Sequence, residues 1–328
     1  MNYSTYNDME RIADELVKKM GKEGLKNIYF VACGGSLGGL APMHCVIDSK
    51  AQKIHSDLIT ANEFVFATPK AVSESALVVA MSMSGNTPET CAAAEKARKH
   101  GATVVTFTHV AGSPLEQAGD FHVRYGFKDC PYGQTNNALL LRLGFELLRA
   151  FENYDEYQAA LDAFEILDGI CENAFSASAA CAEKFAQQYR DQEQFYIVGS
   201  GGTNWVAYTT CICHLMEMEW MHCGYVNAGE LFHGPLEVAQ PDIAYLVFVN
   251  SGPTKEMDLR ALRFLKTHTD RLVVIDAGEY GAEKFALSIR GLFESMVLSV
   301  VARQYTEALA REKKHPLGYR RYMFKVAY

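Results

Sequence analysis

Apolar residues along the chain follow two rhythms, helical spacings and short unbroken runs. Met9, Ile12, Leu16 and Met20 lie three or four residues apart, which puts them on one side of a helix over 8–20. Ile28-Tyr-Phe-Val-Ala32 is short and continuous and predicts a buried strand, running into the turn Cys33-Gly-Gly-Ser-Leu-Gly-Gly39. A second run, Ala76-Leu-Val-Val-Ala-Met81, leads into Ser82-Met-Ser-Gly-Asn-Thr87. Pro88 then opens a helix, because proline in the first turn gives up only an amide that the helix would leave unpaired. Gly101 ends that helix, and Thr103-Val-Val-Thr-Phe107 is a third strand. Strand, small-residue turn and amphipathic helix in alternation predict a parallel sheet covered by helices.

The pattern turns helical from Thr135 to about Ala150, and 155–190 continues helical almost throughout. At Gln194 a strand returns, Phe195-Tyr-Ile-Val-Gly-Ser-Gly-Gly-Thr203. It matches the first strand and turn at an offset of 167 residues, about half the chain: Tyr29 with Tyr196, Val31 with Val198, Gly34 and Gly35 with Gly201 and Gly202, Ser36 with Thr203. A match at half-length, followed each time by a helix, predicts a duplicated α/β unit. The second copy continues with strands Ala244–Val249 and Leu272–Ile275, a helix around 255–267 and a long helix over 290–311. The expected division is a first domain over 1–150, a helical connector over 151–190 and a second domain over 191–328. The last of these includes a basic, aromatic tail from Lys313.

Composition narrows the function classes. With 49% hydrophobic and 21% charged residues the chain is an ordinary globular protein. Its net charge of −8 provides no field for nucleic acid or for an anionic membrane surface. Any phosphate must therefore be held by local groups. No apolar run reaches membrane-spanning length and the N-terminus lacks signal-peptide features. The nine cysteines, odd in number, then read as reduced thiols of a cytoplasmic protein.

Ligands of open parallel sheets sit beyond the carboxyl ends of the strands. There the hydroxyls of Ser82, Ser84 and Thr87, with backbone amides and a helix dipole, could hold a phosphate monoester without lysine. An ordinary strand-to-helix turn with a capping hydroxyl accounts for the same residues equally well. The turn lacks the Gly-Lys-Ser/Thr ending of a Walker loop, and glycines at 34, 35, 38 and 39 do not have dinucleotide spacing.

The stretch from Glu217 to Glu237 concentrates carboxylates and imidazoles. Projecting 203–223 as one α-helix at about 100° per residue puts Val206, Cys213, Met216, Glu217 and Trp220 on one arc. Glu219 falls well away from it, so Glu217 is expected on the less polar face, with Glu219 solvated or paired. A partly desolvated carboxylate suits proton transfer near neutrality. A buried glutamate satisfied by a neighbouring arginine is the equal alternative. Cys211, Cys213, His214, His222 and Cys223 do not predict a metal site, because C-x-C-H on a helix spreads its side chains around the cylinder. Packing of small thiols accounts for them.

Two motifs carry a resemblance. Ser82-Met-Ser-Gly-Asn-Thr87 and Cys33-Gly-Gly-Ser36 resemble the Ser-x-Ser-Gly-x-Thr loop and Cys-Gly-x-Ser turn of the sugar isomerase (SIS) phosphosugar-binding domain. Gly229-Glu-Leu-Phe-His-Gly-Pro-Leu236 is similar to a segment shared by the isomerase half of glucosamine-6-phosphate synthase and fructosamine-6-phosphate deglycases. The resemblance spans about 20–150 and 190–328. It implies an α/β fold of two tandem SIS domains, each a doubly wound, flavodoxin-like parallel sheet. It implies substrate and phosphate contacts at Gly35, Ser36, Ser82, Ser84 and Thr87, with Gln134 and Arg321 as further candidates. The family's acid/base glutamate stands 16 residues before the histidine; counting back from His233 gives Glu217, which the helix projection also selects. The histidine opens the sugar ring and comes from the partner subunit, implying a homodimer, or a higher oligomer, with shared sites. Glu219 and His222 become bystanders, while Glu230 and Glu237 brace the loop.

The synthase also carries a glutaminase domain, for which this chain, beginning Met-Asn-Tyr, is expected to have no room. Where the synthase has a tail lysine, Gly318-Tyr-Arg-Arg-Tyr322 has arginine, which forms no Schiff base and binds carboxylate or phosphate. That tail resembles fructoselysine-6-phosphate deglycases, with Lys325 a less well aligned amine. Arg320 or Arg321 could hold an amino-acid carboxylate; ordinary salt bridges are the alternative. The resemblance thus implies a fructosamine-6-phosphate deglycase, without metal or redox cofactor. The rivals are a glucosamine-6-phosphate deaminase or isomerase and a non-catalytic phosphosugar-binding protein.

Overall fold

The computed structural model describes residues 2–127 and 130–327, so Met1 and Tyr328, the ends of the two predicted domains, lie outside the described residues. The chain forms two compact units, Met1–Asp168 and Gly169–Tyr328, and the division falls inside a 33-residue helix, α7 (Tyr157–Tyr189).

In the first unit, β1 (Asn27–Ala32), β2 (His55–Thr60), β3 (Ala76–Met81), β4 (Thr103–Thr108) and β5 (Phe121–Arg124) form a sheet ordered β2-β1-β3-β4-β5. Every neighbouring pair is parallel. The strands β3 and β4 are buried at all positions, as strands covered on both faces must be. On one face α3 (Ala61–Phe66), α4 (Pro88–Lys99) and α5 (Pro114–Ala118) contribute Phe64, Ala93, Ala97 and Leu115 to a core with Tyr29, Val31, Val78 and Val104. On the other, α1 (Tyr6–Met20), α2 (Gly34–Lys50) and α6 (Asn136–Leu147) pack together. The stripe of α1 buries Met9, Ile12 and Leu16 as its spacing requires.

The second unit orders β6 (Gln194–Gly199), β7 (His222–Asn227), β8 (Ala244–Val249) and β9 (Leu272–Asp276) as β7-β6-β8-β9, again all parallel. Numbered within its own unit, each sheet runs 2-1-3-4, and the first adds one strand. Tyr29 and Tyr196 occupy the same, third position of β1 and β6, so the half-length match is a match of topology. The helices are α8 (Thr203–Thr209), α9 (Lys255–Leu265) and α10 (Arg290–Lys313). Among the described residues no helix is long and apolar enough to cross a membrane.

Two features depart from the sequence pattern. Strands β2, β5 and β7 were not visible in it because all three are edge strands, half-exposed, with no continuous apolar run. The helix expected from Thr203 to Cys223 is not one helix. After α8, Thr210–Met218 is π-helical, the chain turns at Glu219 and at Trp220 (φ 58°), and β7 begins at His222.

Candidate functional site

In the first unit the chain leaves β1 for β2 on one side and later returns to β3 on the other. The β1/β3 boundary is thus a topological switch point, where the following turns diverge and leave room for a ligand. The turns that emerge there are those of Ser36 and of Ser82–Thr87. Ser82 is buried, and its Oγ meets Thr87 Oγ1 at 2.8 Å while accepting from the Gly85 amide at 3.1 Å. The Ser82 amide donates to the Phe107 carbonyl at 3.2 Å, tying the turn to β4. Ser84 is exposed, and its Oγ accepts from the Asn86 amide at 3.2 Å. Thr87 sits at the N-cap of α4, but its side chain makes no capping bond. Its hydroxyl faces Ser82 instead, so the simple capping reading does not describe it. Gly85 has φ +67°, and a Cβ there would stand 2.0 Å from Ser113 Oγ, so only glycine fits. Gly35 is exposed and Ser36 half-buried in the first turn of α2, which no side chain caps. Gln134 is half-buried at the end of a 3-10 turn, and its carbonyl accepts from the Gly126 amide at 2.7 Å.

The corresponding turn of the second unit, Asn250–Thr254 between β8 and α9, is closed by the protein's own carboxylates. Ser251 donates to Glu294 Oε2 from its amide at 2.8 Å and its hydroxyl at 2.5 Å. Asn250 Nδ2 donates to Asp258 Oδ2, Thr254 Oγ1 and Ser200 Oγ at 2.5, 3.0 and 3.1 Å. Glu294 and Asp258 are fully buried. Burial pushes Glu294 up to about 7 against the opposing bonds from Ser251, and burial likewise raises Asp258. An anion cradle at this position is therefore already filled by Glu294.

Glu217 stands near the end of the π-helix with its side chain 24% exposed, and Oε1 accepts from Arg320 Nη2 at 2.5 Å. Arg320 comes from the tail beyond α10. That tail is held by Trp220, whose ring meets His315 at 4.5 Å and Tyr319 at 5.1 Å, with the Arg321 guanidinium 4.1 Å above it. Lys325 lies 4.7 Å over the Tyr319 ring and donates to the Arg320 carbonyl. Arg321 is thus a stacking residue in this arrangement, and Arg320 is the one that reaches a carboxylate.

The expected burial order of Glu217 and Glu219 is reversed, although Glu219 is paired, one of the two outcomes expected for it. It is buried, paired with Lys313 Nζ at 3.5 Å, and burial pushes it up to about 7 against that lysine. The π-helix explains the error. Its hydrogen bonds close at i→i+5, so each residue turns through less than the α-helical angle and the projection drifts. The Glu219 amide indeed donates to His214, five residues back, at 3.1 Å. His214 itself is half-buried with its Nδ1 inside; its imidazole is driven down to about 3 by desolvation and then by Arg303, and burial pushes Cys213 up to about 12. Both are neutral packing groups.

His233 is exposed in the turn after β7, and its ring has no hydrogen-bond partner among the described residues. No hydrogen bond joins it to Glu217. Glu230 and Glu237 were expected to brace this turn, but both are exposed and make no side-chain bond among the described residues. Instead Leu231 is buried with Phe232 against the β8/α9 core, and Arg260 lies 3.9 Å over the Phe232 ring. Asn227 Oδ1 accepts from the Gly229 amide at 2.9 Å, and its Nδ2 donates to Asn204 at 3.2 Å. These contacts anchor the turn from underneath and leave His233 exposed.

Residues 24–126 match the model of the SIS domain. Over 305 residues, 93% of each protein, the chain is 36% identical to the fructosamine deglycase of Bacillus subtilis. The chain belongs to the SIS-domain family. It is also 26% identical over 264 residues to the fructoselysine 6-phosphate deglycase of Escherichia coli, covering 80% of this chain and 77% of that one. A crystal structure of a candidate phosphosugar isomerase from Bacillus subtilis matches at 35% identity with a TM-score of 0.94, covering 98% of this chain and 97% of that one. The family model covers only part of the first unit of this SIS protein; the second unit is tied to it by the repeated strand order. Asn227 is the polar anchor that sequence reasoning passed over, because it lies in an unrecognised edge strand. Arg320, named from the sequence as a carboxylate ligand or an ordinary ion pair, is the arginine that meets Glu217.

Proposed function

We propose that this SIS enzyme is a cytoplasmic fructosamine-6-phosphate deglycase, converting a 6-phosphorylated Amadori compound and water to glucose 6-phosphate and a free amino acid. The observation that carries the reading is the partner of Glu217. It is an arginine from the tail, while the tail's Lys325 is turned onto a carbonyl. A site built to form an imine with the sugar needs a free amine near the reacting carbon, whereas a substrate that already carries its nitrogen does not. The likeness to the Bacillus subtilis fructosamine deglycase supports the same choice.

In this proposal Ser36, Ser82, Ser84 and Thr87, with the Gly35 backbone, hold the 6-phosphate, and Gln134 contacts the substrate. Their hydroxyls and amides are uncharged donors, which fits a net charge of −8 that offers no steering. His233 assists ring opening, and its outward position suits donation to the neighbouring subunit of a homodimer. Glu217 removes a proton from C1 of the open-chain ketose to give an enaminol, and a proton then returns to C2. The resulting aldose imine is hydrolysed at C1, releasing the amine. When C1 loses its proton the C2 carbonyl takes up the electron pair, and the substrate's own nitrogen then donates its lone pair to form the C1 imine as C2 is protonated.

Incubation with fructoselysine 6-phosphate and, separately, with glucosamine 6-phosphate tests the reading, with glucose 6-phosphate and ammonia as readouts. The deglycase gives glucose 6-phosphate from the first substrate. Ammonia from glucosamine 6-phosphate, with no product from the Amadori compound, would overturn it.

A further inference from the structure

Arg320 holds Glu217 in an incomplete way. Guanidinium groups bind carboxylates most strongly through two parallel N–H bonds, and Nε with Nη2 forms one such edge. On Arg320 only Nη2 is used on that edge, in its 2.5 Å bond to Glu217. Nε is buried and has no hydrogen-bond partner. The remaining nitrogen, Nη1, is committed to the Leu317 and Tyr319 carbonyls at 2.7 and 3.0 Å, which fixes the orientation of the fork. A buried donor without an acceptor is costly, so an anion able to take both prongs would displace the single-pronged contact. The guanidinium covers one of the two carboxylate oxygens of Glu217 until a competing anion draws it off.

We propose that the Nε–Nη2 edge of Arg320 is the receptor for the substrate's amino-acid carboxylate, and that capturing it releases Glu217 for proton transfer. This rests on the deglycase reading and deepens it. Substrate selection and base release become one exchange of carboxylates on one guanidinium. Arg321 cannot share the task while it covers the Trp220 ring. A sugar phosphate bearing a carboxylate-free amine would leave Arg320 on Glu217 and be turned over poorly.

The test compares two synthetic Amadori phosphates, one made from glycine and one from methylamine, on the wild type, Arg320→Gln and Arg320→Lys. Wild type is expected to favour the glycine compound in kcat/KM by about 10- to 100-fold, the worth of a charge-assisted pair. Arg320→Gln should lose most of that on the glycine compound and gain kcat on the methylamine compound, because Glu217 is no longer held. Arg320→Lys, a point charge without the fork, should restore only part of the preference. A purely structural tail would lower both substrates together, and that parallel loss in Arg320→Gln would overturn the exchange while leaving the deglycase reading intact. Equal use of both compounds by the wild type would also overturn it. If the wild type releases glucose 6-phosphate from neither compound, the deglycase reading falls and this inference with it.

Discussion

Replacing Glu294 by glutamine should make the protein more stable above neutral pH and leave it little changed at pH 5. Glu294 is fully buried and accepts two bonds from Ser251 through one oxygen, while Oε1 has no partner. Burial outweighs those bonds and raises the carboxyl from 4.5 to about 7, with Asp258 and Asp276 adding to the rise. The folded state therefore keeps a proton that the unfolded chain gives up. Stability from this group is fully present below about 4.5 and is lost as pH rises through about 7. At about 1.4 kcal/mol per unit, the loss by pH 8.5 is roughly 3 kcal/mol. Glutamine cannot ionise, and its carbonyl oxygen can still accept both bonds from Ser251. Urea unfolding of wild type and Glu294→Gln at pH 5, 7 and 8.5, followed by tryptophan fluorescence, measures the difference. The variant should gain roughly 3 kcal/mol on the wild type between pH 5 and 8.5. A difference that does not vary with pH, or that moves against the variant as pH rises, would refute the assignment of a protonated Glu294.

Three further outcomes follow from the same geometry. Gly85→Ala places a Cβ 2.0 Å from Ser113 Oγ at a φ of +67°, so the melting temperature should fall by several degrees and KM for the phosphosugar should rise. Glu146 is fully buried and accepts from Arg142, Arg149 and Tyr157 at 2.7, 2.7 and 2.5 Å. Glu146→Ala should cost about 3–5 kcal/mol in chemical denaturation, because two guanidinium groups lose their shared anion. Steady-state assays should separate the two glutamates of the π-helix end: Glu217→Gln should lose about 100- to 10,000-fold in kcat, while Glu219→Gln keeps kcat within about tenfold. Reversed losses would move the proposed base to Glu219.

Central strands and the turns after them were legible because two covered faces force unbroken apolar runs, as in Ala76–Met81 and Ala244–Val249. The repeat was legible for the same reason, since β1 and β6 are inner strands of their sheets. Edge strands without an apolar run leave no such trace: His55–Thr60 alternates between exposed and half-buried, and His222–Asn227 has one buried position, whereas the edge strand Leu272–Asp276 was legible from its Leu-Val-Val-Ile run. The serine turn could be found by its residue types. That Thr87 bonds Ser82 rather than capping α4 could not, because both uses take the same hydroxyl at the same place. The filled turn of the second unit was out of reach as well. Glu294 lies 43 residues beyond Ser251, and no local pattern links them.

The spacing of Glu217 from His233 and its place on a helical projection both pointed to the same residue, yet only the first is independent of helix type. Sixteen residues of chain separate the two whatever the backbone does between them. The angular argument assumed α-helical geometry through a segment that is π-helical, and it predicted burial for the wrong glutamate. Desolvation therefore does not single out Glu217. Access does. A carboxylate that exchanges protons with a sugar carbon must be reached by the sugar, and the Glu219 side chain is 0% exposed beneath Lys313, against 24% for Glu217. Nor can Glu219 be traded for a substrate group without uncovering Lys313, whose Nζ also donates to the Glu219 carbonyl at 3.1 Å. Glu217 is held by one bond to a side chain whose fork is half empty. Of the two carboxylates, it is the one whose partner a ligand could take over, and this is the ground on which we propose it as the base.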